Sequence, residues 1–253
     1  MNTIDDETSD APGAGLNDDA AFDDGEGRRA TRSGGQWLAM AAAMVFLAGS
    51  LGYAAGARRD RVPGAESVDV GFLHDMISHH EQAVRMSNLE LINGVVPEVQ
   101  VFGREIVHLQ SYEIGLMERQ LALWGRSRVA RPDIAMAWMD QAVLVDSMPG
   151  LAGRAEMRLM ERGSGRDADA LFVALMKDHH RGGIHMAEYA AKHSATEFVR
   201  DIARRMAAAQ TLEIREMEFA RRTAGLADQP AGYVPAEIPG TGHPEAGDHA
   251  EHH

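Results

Sequence analysis

The chain has 253 residues, 45% of them hydrophobic, and a net charge of −13, which suits one domain of ordinary size with tails. An acidic chain with no basic stripe argues against nucleic acid as a partner. With no cysteine, disulfides, zinc thiolate sites and thiol nucleophiles are excluded, and the fifteen methionines are the soft ligands that remain.

Residues 1–36 carry nine acids against three arginines and too little apolar surface to fold, so they are expected to be disordered. Residues 37–57, WLAMAAAMVFLAGSLGYAAGA, form an uncharged 21-residue run. Its length matches a hydrocarbon core, and Trp37 and Tyr53 sit near its ends. The run predicts one N-terminal transmembrane helix that anchors the chain in a membrane. The alternative is secretion after cleavage near Ala57, because Ala55-Gly56-Ala57 is an A-x-A site. Residues 58–66 read as a linker.

Beyond the linker the periodicity is helical. A first helix is predicted over 67–93, stopped by Gly94, and Pro97 suits the first turn of a second helix ending at Gly125. Residues 126–166 contain Pro132, Pro149, Gly150, Gly163 and Gly165, which predicts a long connection with short helices around 136–145 and 152–160. A third helix covers 167–192. Ser194-x-x-Glu197 reads as a capping box opening a fourth, which ends near Gly225. The tail, 226–253, is Pro- and Gly-rich, expected to be disordered, and holds His243, His249, His252 and His253. Two helical hairpins, 67–125 and 167–225, predict an all-α fold, an antiparallel four-helix bundle of two repeats.

The repeat is explicit. Phe72, Met76, His79, His80 and Met86 recur one hundred residues later as Phe172, Met176, His179, His180 and Met186. Gln110, Glu113, Ile114 and Met117 recur as Gln210, Glu213, Ile214 and Met217. At about 100° per residue, Met76, His79, His80, Ala83 and Met86 fall within an arc of roughly 120°, the width of a core-facing stripe. Gln110, Glu113 and Met117 share a face of the second helix. Each hairpin can therefore aim two His, two Met, one Gln and one Glu inward, and Ala83 and Gly183 leave space beside the rings.

Imidazole with thioether is a soft-to-borderline donor set that suits Cu(I) and Ag(I), whereas hard ions want more oxygens. The candidate metal residues are Met76, His79, His80, Met86, Glu113, Met117, Met176, His179, His180, Met186, Glu213 and Met217, with a copper ion as the ligand and one site per repeat. Two alternatives stand beside this. One is a structural or interaction bundle whose His–Gln–Glu network only fixes helix register. The other is a di-metal oxidase, for which Glu105-x-x-His108 has no counterpart, since Arg205 and Ala208 occupy those positions. No catalytic residue is assigned.

The segments FLHDMISHHEQAVRM and LFVALMKDHHRGGIHMA, each followed by Q-x-x-E-I-x-x-M, resemble the family catalogued as domain of unknown function 305, over about residues 67–222. Trp138-Met139 and Asp146–Gly150 resemble that family's linker, which often has a further Met where this chain has Leu151. The resemblance implies a ferritin-like bundle in an exported or membrane-anchored bacterial protein, with the bundle outside the cytoplasm. It also implies a link to copper binding and resistance, with His79, His80, Met86, His179, His180 and Met186 as the signature positions.

Overall fold

A computed structural model of the protein describes residues 34–59, 62–126 and 133–239. The expected disorder of 1–33 and the histidines of the tail lie outside these residues. The chain divides into two units, Met1–Gly56 and Ala57–His253.

In the first unit the apolar run is helical, within α1 (Gly34–Arg59), and Trp37 to Tyr53 are exposed. The expected membrane span is not supported: among the described residues, no helix is long and apolar enough to cross a membrane.

In the second unit, Ser67 caps α2 (Val68–Asn93) by accepting from the Val70 amide, and Pro97 opens α3 (Pro97–Leu123). The second hairpin is α5 (Gly165–His193) with α6 (Glu197–Thr223). The expected capping box at Ser194 does not form. Helix α6 begins at Glu197, which is then too early in the helix to reach back as the box's third residue. Thr196 is the N-cap instead and accepts from the Val199 amide at 3.4 Å.

Each hairpin turn is held by a buried aspartate from the other hairpin. Asp169 accepts from the Val95 and Val96 amides at 3.1 and 3.0 Å. One hundred residues earlier, Asp69 accepts from the Ala195 and Thr196 amides, both at 2.8 Å. So the start of α2 meets the end of α5, and the end of α2 meets the start of α5: the two helices pack antiparallel. The two halves exchange caps in the manner of a pseudo-twofold pair. Among the described residues the bundle is all-α apart from one two-residue ladder in the connection.

That ladder pairs β1 (Ile134–Ala135) with β2 (Val143–Leu144), with Ile134 opposite Leu144. It stands where a helix over 136–145 is expected. Met136 and Asp140 have φ of +59° and +58°, which no α-helix accommodates, and only short 3₁₀ turns form at Ala137–Met139 and Val145–Ser147. Helix α4 (Arg154–Arg162) follows. After α6, the chain through Pro239 packs back on α5, in place of the expected disorder. The buried Asp178 carboxylate accepts from the Tyr233 hydroxyl at 2.6 Å and from the Ala236 amide at 2.8 Å. A fixed acceptor of this kind orders a segment whose composition alone does not.

Candidate metal centre

The core consists of two apolar clusters. One gathers Phe72, Met76, Met117, Leu121, Met186 and Val199 among others, and the second Met86, Val99, Ile106, Phe172, Met176 and Met217. On each of the four long helices, polar residues lie between the stretches that belong to the two clusters. They are His79 and His80 on α2, Gln110 and Glu113 on α3, His179 and His180 on α5, and Gln210 and Glu213 on α6. The repeated motif therefore forms one polar belt across the bundle.

All four imidazoles are fully buried. His79 and His179 stack at the middle of the belt, with ring centroids 3.8 Å apart and planes inclined by 38°. His80 Nε2 donates to Glu113 Oε2 at 2.9 Å, and His180 Nε2 donates to Glu213 Oε2 at 2.5 Å. His179 Nε2 donates to the His79 carbonyl at 2.9 Å. His79 Nε2 faces the Pro149 carbonyl at 3.4 Å, a long contact. Nε2 faces an oxygen acceptor in every ring, and Nδ1 is buried with no hydrogen-bond partner on any of the four.

Burial, reinforced by the neighbouring His80, lowers the His79 pKa to about 3. Burial also holds His179 well below the usual histidine range, with His79 as the next cause. Both rings are therefore neutral near pH 7, and a neutral imidazole that donates through Nε2 carries a bare lone pair on Nδ1. That is the state a metal ligand needs, with the partner on the other nitrogen setting the tautomer.

All six candidate methionines are fully buried, but they do not divide by repeat. Met76 and Met117 share their cluster with Met186, while Met176 and Met217 share theirs with Met86. The antiparallel packing of α2 on α5 exchanges one thioether between the hairpins, so each trio draws on both. Gly183 supplies no open space beside the rings, because the Gln210 amide oxygen lies where its Cβ would be.

Among the described residues, no three of the His, Asp and Glu side chains come together as a group able to hold a metal ion. Glu105 and His108, the half-motif of a di-metal oxidase, are both exposed. The buried donors of the belt and its two flanking clusters are imidazole nitrogen and thioether sulfur, types that suit a soft or borderline ion and not a hard one.

Sequence reasoning missed several residues. Asp69 and Asp169 obey the hundred-residue offset and were findable by it. The five methionines of the connection, Met136, Met139, Met148, Met157 and Met160, are all buried in the two clusters, and their number in so short a stretch was the available signal. Gln82 had no such signal; its side-chain amide bonds both the N–H and the carbonyl of Ala152, at 2.7 and 3.0 Å.

An all-helical pair of hairpins with a buried imidazole belt defines the class. Comparison with known proteins places it more closely: the sequence pattern of the domain of unknown function DUF305 matches residues 69–221, and the chain belongs to that family. Among solved structures it is similar to a candidate secreted DUF305 protein of Streptomyces coelicolor, with 33% identity and a TM-score of 0.60, covering 67% of this chain and 100% of that one. A DUF305 fragment from Deinococcus radiodurans is 26% identical over 61% of this chain and 96% of its own, with a TM-score of 0.52. CopM in its Cu(I)-bound form is 20% identical over 62% and 96%, with a TM-score of 0.47. No curated protein matches the chain.

Proposed function

We propose that this protein binds a soft metal ion, Cu(I) and by the same chemistry Ag(I), outside the cytoplasm, and buffers or delivers it. One observation carries the reading. Four buried imidazoles present unpartnered Nδ1 atoms in a belt flanked on each side by a cluster of buried methionines, three of them from the repeat in each cluster. Because no three His, Asp or Glu side chains among the described residues gather at one point, an ion held in the belt would draw on sulfur, and sulfur selects the soft ions. The likeness to a candidate secreted protein supports an extracytoplasmic setting. So does the absence of cysteine, since thioethers survive in compartments where thiolates are oxidised.

The test is an anaerobic Cu(I) titration of the full chain. Two trios predict a stoichiometry near two, lowered in the His79→Ala/His80→Ala variant. A second reading, that the belt only sets helix register, is favoured by the His80–Glu113 and His180–Glu213 bonds. It predicts that the wild type takes up no Cu(I) beyond what a chain cut after Ala227 loses.

A further inference from the structure

We infer that Met136, a residue outside the repeat, supplies a further thioether to the soft-metal site formed by Met76, Met117 and Met186. The inference rests on the reading just given and adds a ligand that the repeat does not encode.

Met136 is fully buried and belongs to the same cluster as those three methionines. Its backbone is left-handed, with φ +59° and ψ +11°. For a long side chain that is an outlier, and it persists only where the surroundings over-determine it. They do. The Met136 amide donates to Asp75 Oδ2 at 2.7 Å, and the Trp138 indole donates to the same oxygen at 2.7 Å. Asp75 immediately precedes Met76. The Trp138 ring lies in the notch left by Gly71 and packs edge-on against Phe72, with centroids 5.9 Å apart.

The other side of the turn is tied to α5. The Gln141 backbone N–H donates to the Met136 carbonyl at 3.2 Å, and the Gln141 side-chain oxygen accepts from His185 Nε2 at 2.9 Å. His185 immediately precedes Met186. So the residues beside two of the three candidate thioethers are the ones that grip the turn carrying the fourth. Core filling alone does not call for this, since an unstrained Leu or Ile on a helix fills volume equally well. A sulfur held at one required position does call for it.

The experiment compares Cu(I) affinity, by competition with a chromophoric Cu(I) chelator under anaerobic conditions, in the wild type and three variants of the full chain. Met136→Leu conserves volume and is tolerated in a packed core. It is expected to weaken Cu(I) binding at one of the two sites by about tenfold or more, at least what losing a supporting partner costs a metal site. Copper X-ray absorption should show fewer sulfur scatterers per copper. Met206→Leu, in the same cluster but outside the trio, is expected to change neither readout. Unchanged affinity and sulfur count in Met136→Leu, with binding lost in His79→Ala/His80→Ala, overturns this inference and leaves the copper reading standing. An equal loss in Met206→Leu also overturns it. No copper uptake by the wild type removes the copper reading itself, and this inference with it.

Discussion

Glu90 is fully buried at the end of α2, beside Asp169. Burial first, then the hydrogen bond and charge of Asp169, push its pKa up to about 9. Its counterpart in the second repeat is Ala190, so this acid is peculiar to one hairpin. The sign of the linkage follows directly. Between pH 4.5 and about 9 the folded chain keeps a proton that the unfolded chain has lost. Stability therefore falls as pH rises across that window, by about 1.4 kcal/mol per pH unit at most. Glu90→Gln keeps the shape and removes the titration. Urea unfolding at pH 5, 7 and 9 should show a flatter profile for the variant and its largest advantage over wild type at pH 9. Parallel profiles would mean that Glu90 ionises normally in the fold.

A second prediction at this scale concerns Gly182. A Cβ there would sit on the Pro149 carbonyl oxygen and 3.2 Å from Gly150 Cα, both backbone atoms that cannot swing aside. Gly150 itself has φ +81°, which lets the strand of chain over α5 lie this close. Gly182→Ala should cost about 1–3 kcal/mol, the usual range for overpacking, read as a lowered urea midpoint. It should also speed amide exchange at Ala152, whose N–H is otherwise held by Gln82. Exchange at wild-type rates would show that the connection adapts without lifting.

At the scale of elements, the four long helices were legible because 3.6-residue periodicity and the Gly94/Pro97 and Gly125 punctuation are local signals. The connection was not, because its shape is imposed from far away in sequence. Asp75 reaches 61 residues to hold Met136, and a left-handed methionine leaves no mark in a propensity argument. The belt was legible in the repeated His-His pairs. The exchange of Met86 and Met186 between trios was not, since it exists only once α2 lies antiparallel on α5. That packing rests on the exchanged aspartate caps, so Asp69→Ala should free the Ala195 and Thr196 amides and cost about 1–2 kcal/mol. Asp169→Ala should cost a similar amount through Val95 and Val96. The caps lie at opposite ends of the α2–α5 pair, so the double variant should lose the sum of the two, measured by chemical denaturation. A loss well below the sum would show that the two turns are coupled through α2 and α5.

For the whole molecule, the proposed function has a consequence: with each methionine trio drawn from both hairpins, neither hairpin alone holds a full set of the proposed thioether ligands. Any ligand that binds only the assembled fold raises its stability, by about 2.7 kcal/mol for one site at a free concentration one hundred times the dissociation constant. Cu(I) should therefore raise the thermal midpoint of the full chain in a concentration-dependent way, and two independent sites should give about twice the single-site increment. Mg(II), which asks for oxygen ligands in octahedral array, should give none. A Met86→Leu/Met186→Leu variant preserves volume on both sides of the belt while removing the one thioether that each trio receives from the other hairpin. Its response to Cu(I) should shrink at both sites together, although each substitution lies in a different repeat. If Met86→Leu alone instead weakened the site containing Met76 and Met117, the two halves would bind metal separately, each within its own hairpin, and the exchange of thioethers across α2 and α5 would have no part in binding.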